Sequence, residues 1–255
     1  MSALRLPDFI IGGAPRSGTT WLYSLAARHP EIEMAKPVVP EPKFFLRDDL
    51  YEKGLSYYSR TWFAFIPQDK HAGEKSTNYL ESAVAAERIR RCLPAVRLVF
   101  ILRNPIDRAF SNYLWSRQSG LQAADFETAL AQEDARERDM PQALRYSRPH
   151  ALFSRGLYAE LLRPYFLRFP REQILVLRFE DILVAPEGVA ERFHCFLGIA
   201  PRPSDGTKLR RVNGSKESNI AKMNETTRET LRSRYREPNQ QLARLLGLGS
   251  AGWWD

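Results

Sequence analysis

Cysteine is nearly absent from this chain: Cys92 and Cys195 are the only two in 255 residues. Two distant thiols make neither a disulfide framework nor a thiolate metal set, and they fit a reducing compartment. Histidine is scarce as well. The four, His29, His71, His150 and His194, show no ligand spacing with one another or with the cysteines, so no metal is expected. No run approaches the ~20 apolar residues that a membrane helix needs. Met1–Pro7 leads almost directly into a strand and leaves no room for a signal peptide, so a cytoplasmic location is expected. No repeat, low-complexity run or Gly/Ser-rich linker divides the chain, and one domain over 1–255 is expected. Hydrophobic residues make up 44%, enough for a substantial core. Acidic residues are outnumbered, 30 against 38 basic, and the formal net charge of +8 favours anionic partners.

The most telling absence is a single lysine. Gly13-Ala14-Pro15-Arg16-Ser17-Gly18-Thr19-Thr20 follows the apolar run Phe9–Gly12 and leads into a helical pattern. Strand, glycine-bounded loop and helix start have the spacing of the phosphate loop G-x-x-x-x-G-K-[ST], with Thr19 where the lysine belongs. Backbone N–H groups and the helix dipole still favour an anion there. Ser17, Thr19 and Thr20 add hydroxyls, and Arg16 adds a fixed charge. The loop should hold a phosphorylated nucleotide without splitting ATP.

Strands are expected at Phe9–Gly12, Ala72–Ser76, Val96–Leu102 and Gln173–Phe179. The nearly continuous apolar runs suit a parallel sheet covered on both faces. Helices are expected at Thr20–Arg28, Ile106–Ser116, Tyr158–Phe169 and Pro186–Leu197, the last opening on proline and closing at Gly198. The alternation implies a doubly wound α/β fold, with a mostly parallel sheet flanked by helices. Asp125–Pro149 is charged and should be helical up to Pro141, as either a substrate lid or a surface excursion. Thr226–Leu246 reads as a helix with a Thr226-x-x-Glu229 capping box, broken or restarted at Pro238. Trp253-Trp254 reads as a core plug.

A second anion site is offered by Arg103, at the end of a buried strand, with Ser111 about two helical turns on. Ligands of open α/β sheets bind beyond the carboxyl ends of the strands, where the loop and Arg103 could share a crevice. The alternative for Arg103 is a surface salt bridge. Ser215-Lys216 is either a third contact or a solvated basic loop. Two separated anionic points suit a nucleotide with phosphate on both sides of its ribose.

These residues resemble the sulfotransferases that use PAPS (3′-phosphoadenosine 5′-phosphosulfate). Their 5′-phosphosulfate loop is similar to Pro15-Arg16-Ser17-Gly18-Thr19-Thr20-Trp21. Their 3′-phosphate element, an arginine and a serine eight apart, is similar to Arg103 and Ser111. Glu41-Pro42-Lys43-Phe44-Phe45, with Tyr51-x-x-Gly54-Leu55-x-x-Tyr58, resembles the E-P-H-F-F…Y-x-x-G-x-x-W-Y stretch of heparan-type members. Glu74-Lys75-Ser76 resembles their E-K-[ST]. Tyr235–Asn239, Leu245–Gly247 and the terminal tryptophans resemble the family's carboxyl-terminal helix.

The resemblance implies a P-loop-like fold, PAPS as donor, PAP as product and no metal. It implies Glu41 as general base, with Arg16 and Lys75 as cations on the leaving side. Arg16 replaces the family's loop lysine, which keeps the charge and changes its shape. Lys43 replaces the family's histidine, so any role of that histidine as a base is lost. Glu74 and His71 are fallback bases, and Lys43 could act on Glu41 or on an acidic acceptor. Without the resemblance, Glu41 reads as a surface glutamate in a proline-rich loop. Trp21 lies either near the adenine or in plain core. Tyr57–Phe63 either lines an apolar acceptor pocket or forms a core helix. The acceptor, a small molecule, lipid or carbohydrate with a hydroxyl or amine, is not legible, and no stable nucleic-acid partner is expected. The competing readings are a small-molecule kinase with a degenerate loop and a basic nucleic-acid-binding domain.

Overall fold

The computed structural model describes residues 4–203, 223–249 and 252–254. In chain order the elements are β1 (Phe9–Gly13), α1 (Thr19–Ala26), β2 (Ile32–Met34), α2 (Asp48–Tyr51), α3 (Gly54–Trp62), β3 (His71–Lys75), α4 (Ala83–Cys92), β4 (Arg97–Leu102), α5 (Pro105–Gln118), α6 (Phe126–Ala131), α7 (Glu133–Arg138), α8 (Tyr158–Phe166), β5 (Ile174–Arg178), α9 (Phe179–Val184), α10 (Pro186–Leu197) and α11 (Glu225–Leu246). They fall into two compact units. One takes the chain through Leu102 and resumes at Pro164; the other takes Arg103–Arg163 and the chain from Met223.

The first unit holds the sheet. Its five strands are all parallel, in the order β2-β3-β1-β4-β5. β1 and β4 are neighbours whose next strands lie on opposite sides of them, which makes the carboxyl ends of this pair the topological switch point. Phe9 and Ile11 of β1, Val99 and Ile101 of β4 and Leu177 of β5 pack against Leu22 and Leu25 of α1 and Phe193 and Leu197 of α10. Alternate strand residues face the other side, where the Phe100 ring meets Tyr165 at 4.9 Å. Cover on both faces is why these strands read as unbroken apolar runs.

Four elements of this unit, β2, α2, α4 and α9, are illegible in the sequence. β2 has three residues, paired with β3, squeezed between His29-Pro30 and Pro37. α4 buries only Ala85, Ala86 and Ile89 and is otherwise polar. α1 begins at Thr19 and stops two residues short of Arg28, because Arg28 and His29 turn back onto the carbonyls of Leu25 and Ala26. The turn brings the buried rings of His29 and His194 to 4.7 Å. Burial, then the neighbouring His29, pushes the His194 imidazole down to about 4.

In the second unit Asn104 caps α5, its side-chain oxygen accepting from the backbone N–H groups of Ile106 and Asp107, with Pro105 in the first turn. Ile106, Ala109 and Tyr113 pack against Phe126, Leu152, Leu231 and Tyr235. The 125–149 segment forms α6 and α7 and then a 3-10 turn, Gln142–Ser147. Glu133 of α7 is buried and accepts from the backbone N–H groups of Phe153 (2.6 Å) and Ser154 (2.9 Å).

Three expectations for the carboxyl-terminal region are corrected. The cap of α11 is Asn224, not Thr226: its side chain accepts the Thr226 N–H at 2.9 Å, and asparagine caps better than threonine. Pro238 does not break α11, which runs through it for 22 residues. The lost bond, about 3 kcal/mol in an isolated helix, is outweighed by burial of Leu231 and Tyr235 before it and of Leu242 and Ala243 after it. Trp253 and Trp254 are not a core plug. Both are half-buried; Trp254 lies 5.8 Å from the Tyr158 ring, and its carbonyl accepts from Asn239.

Candidate active site

β1 delivers the chain into the phosphate-type loop, and two close approaches shape that loop. A Cβ on Gly13 would stand 2.9 Å from the Thr77 carbonyl oxygen and 2.7 Å from the Leu80 Cβ. Gly18 has φ 87° and caps α1, and a Cβ there would meet the Phe179 ring at 2.8 Å. Arg16 also takes a left-handed conformation, φ 67°, which costs a residue with a side chain about 1–2 kcal/mol. Strain of this kind persists where the surroundings enforce it and gathers at ligand clamps. The Ser17 hydroxyl is fully buried, and among the described residues neither it nor the buried Trp21 indole N–H has a hydrogen-bond partner. Unpaired donors cost roughly 1–3 kcal/mol each, so a loop that tolerates them suits a ligand with acceptor oxygens.

β3 lies beside β1, and Lys75 is in register with Ile11. From there Lys75 Nζ donates to Glu41 Oε1 at 2.6 Å, and the two side chains are 8% and 13% exposed. Thr77 holds the same carboxylate: its N–H reaches Oε2 at 3.0 Å and its hydroxyl Oε2 at 3.1 Å. The Thr77 carbonyl abuts Gly13, so a single residue touches both the Glu41 carboxylate and the loop's first glycine. Glu41 is therefore no surface glutamate, although it sits among prolines.

Glu74 points to the other face of β3 and is fully buried. Its carboxylate accepts from the Tyr58 hydroxyl and, at 2.6 Å, from Ser76. Burial pushes its carboxyl up, against the lowering effect of the hydrogen bonds from Ser76, Tyr58 and Tyr79. His71 stands at the amino end of β3, about 13 Å along the strand from Lys75. Lys43 has φ 51°, and its N–H donates to Ser76 Oγ at 2.9 Å. The next two residues, Phe44 and Phe45, are fully buried, and the Phe44 ring stacks on Tyr58 at 4.4 Å. Tyr58, Trp62 and Phe63 thus belong to the core, as α3 and its end pack on Phe44. The sequence missed Thr77, Ser76 and Tyr58 as partners of these glutamates. Only the E-K-[ST] likeness pointed to their neighbourhood.

Arg103 opens the second unit directly after β4, and Ser111 lies on α5; both are half-buried. The Arg103 carbonyl accepts from the Tyr158 hydroxyl at 2.8 Å, which fixes the start of this arm. Ser215 and Lys216 lie outside the described residues. Among the described residues no group of three or more His, Cys, Asp or Glu could hold a metal ion, and no helix is long and apolar enough to cross a membrane.

A parallel α/β sheet with a phosphate-type loop at its switch point defines a P-loop-like protein. The sulfotransferase domain family model matches residues 6–242, and the chain belongs to that family of enzymes. It is 27% identical over 267 residues to human bifunctional heparan sulfate N-deacetylase/N-sulfotransferase 2, covering 95% of this chain and 30% of that protein. The chain thus spans about a third of the length of the curated relatives it matches. A sulfotransferase from Alicyclobacillus acidocaldarius superposes with a TM-score of 0.76 at 26% identity, covering 95% of this chain and 96% of the other. Mouse sulfotransferase SULT7A1, solved with PAP, shares the fold with a TM-score of 0.51 at 18% identity, over 79% of this chain and 62% of that one. Family membership displaces the kinase and nucleic-acid readings.

Proposed function

We propose that this chain transfers a sulfuryl group from PAPS to a hydroxyl or amine of an acceptor, with Glu41 as general base. The observation that carries this reading is the Glu41 carboxylate, gripped by Lys75 and by Thr77, whose carbonyl abuts Gly13. Fixed orientation next to a phosphate-type loop is what proton removal during an in-line transfer requires. Glu74 and His71 fit the role less well, the first sealed in the core and the second at the far end of β3.

The donor would be held by Pro15, Arg16, Ser17, Gly18, Thr19 and Thr20 at its 5′ end and by Arg103 and Ser111 at its 3′-phosphate. Trp21 would lie beside the adenine, and Ser215 and Lys216 would add contacts. The buried, unpartnered Ser17 hydroxyl is the feature that fits this group best. When bound, PAPS supplies the sulfuryl group and departs as PAP. Arg16 and Lys75 provide positive charge on the leaving side. Glu41 accepts the proton of the acceptor O–H or N–H, while Lys75 and Thr77 keep its oxygens aimed. Both compact units serve one sulfotransferase domain, consistent with a family match running across them. The buried Glu133 contacts support 125–149 as a packed surface excursion.

The test is incubation with sulfur-labelled PAPS and a panel holding N-desulfated heparin, a phenol and a lipid alcohol. Label transferred to one panel member, and lost with Glu41→Gln while PAP binding persists, supports the proposal. Normal turnover by Glu41→Gln refutes Glu41 as the base.

A further inference from the structure

Glu41 sits in a proline-rich loop, yet its carboxylate has a fixed direction. Part of that order comes from Lys75 and Thr77, which touch it. The rest comes from below. Lys43, two residues on, is in the left-handed region at φ 51°, and its N–H reaches Ser76 Oγ at 2.9 Å. A serine hydroxyl has one proton and two lone pairs. Here the proton is committed to Glu74 Oε1 at 2.6 Å, which leaves a lone pair for the Lys43 amide. The other oxygen of Glu74 is occupied by the Tyr58 hydroxyl, and Tyr58 is itself stacked on Phe44, the residue after Lys43. A closed circuit therefore runs from Glu74 through Ser76 to Lys43, and from Glu74 through Tyr58 to Phe44.

We infer that Glu74 is a positioning residue for the base, acting through Ser76 and Tyr58 to fix the chain just after Glu41. This rests on Glu41 being the base. A fully buried carboxylate is costly unless its oxygens are satisfied, and simple packing at this position would be served by an apolar side chain. Both oxygens are instead spent on hydroxyls that pin one short segment. The adjacent Thr77 then grips the Glu41 carboxylate directly, so neighbouring residues after β3 hold the loop at both ends.

Two variants break the circuit at different points. Glu74→Met removes both acceptors at similar length; Ser76→Ala removes the relay and leaves Glu74 in place. Ser76→Thr keeps the relay. With labelled PAPS and whichever panel acceptor the wild type sulfates, kcat should fall roughly ten- to a hundred-fold for the breaking variants, the scale of a small misplacement of a reacting group. PAP affinity by calorimetry should stay within about two-fold, and Ser76→Thr should recover most of the rate. The Lys43 amide should exchange its hydrogen faster in Ser76→Ala, a readout that needs no acceptor.

The decisive comparison is Ser76→Ala made in the Glu41→Gln background. If Ser76 acts through Glu41, the second change costs little further rate. A full additional loss there, or unchanged kcat per folded enzyme in Ser76→Ala, overturns the positioning role. Normal turnover of Glu41→Gln alone overturns the base reading beneath it, so the two failures are distinguishable. If Glu74→Met does not fold, Ser76→Ala decides the same question alone.

Discussion

The Lys75 ammonium meets the Glu41 carboxylate at 2.6 Å, and the two side chains are 8% and 13% exposed. A pair so shielded is coupled far more strongly than a surface salt bridge. Neither charge can be removed without consequence for the other. Glu41→Gln should lower kcat about 10²–10⁴-fold, the usual contribution of a positioned base, with PAP binding within about two-fold. Steady-state rates on the sulfated panel acceptor, beside calorimetry with PAP, check both halves.

Lys75→Ala should do more than slow the reaction. It leaves Glu41 largely buried with only Thr77 as partner among the described residues, and should cost about 2 kcal/mol of stability. Urea unfolding of the two proteins measures this. Lys75→Ala combined with Glu41→Gln should recover part of the lost stability, because no lone buried charge then remains.

The loop makes a separate demand on Gly18. At φ 87°, with the Phe179 ring 2.8 Å from where a Cβ would stand, Gly18→Ala meets both backbone strain and a clash. The expected cost is about 2 kcal/mol, together with weaker PAP binding. Gly188→Ala is the control: a Cβ there meets nothing within 4 Å, and its thermal midpoint should hardly move.

Acid should weaken the first unit through His194. Its folded value lies near 4, below the ~6.5 of an unfolded histidine. Between these values the unfolded chain binds more protons, so this term makes stability fall as pH drops from about 6.5 towards 4. Above about 6.5 it has no effect. Burial raises Glu74, which acts with the opposite sign above its unfolded value near 4.5, so the comparison must be between proteins and not between pH values. Unfolding free energies of wild type and His194→Gln across this range should converge as the pH falls.

The phosphate loop was legible because its signal is local: an apolar strand, bounding glycines and a helix start within one short stretch. The strand that ends at Leu102, just before Arg103, and the helix that carries Ser111 were legible for the same reason. Glu41 was different. Its partners, Lys75 and Thr77, lie more than thirty residues away, and nothing local separates it from a solvated loop glutamate; family likeness alone singled it out. The Ser76 relay and the His29–His194 contact are equally long-range and left no mark on the pattern. Pro238 shows the converse, a strong local signal overruled by buried neighbours on both sides.

The proposed role of Arg103 at the 3′-phosphate predicts a selective nucleotide site. Arg103→Ala should weaken PAP binding roughly ten- to a hundred-fold, the scale of one lost charge-assisted hydrogen bond. Binding of 5′-AMP, which lacks the 3′-phosphate, should change little in the same variant.

The most direct measurement is therefore calorimetric titration of the wild-type chain with PAP and with 5′-AMP under one buffer. Saturable binding of one PAP per chain is expected, at least about ten-fold tighter than 5′-AMP. Equal affinity for the two nucleotides, or no PAP binding, would contradict a site built for a nucleotide with phosphate on both sides of its ribose.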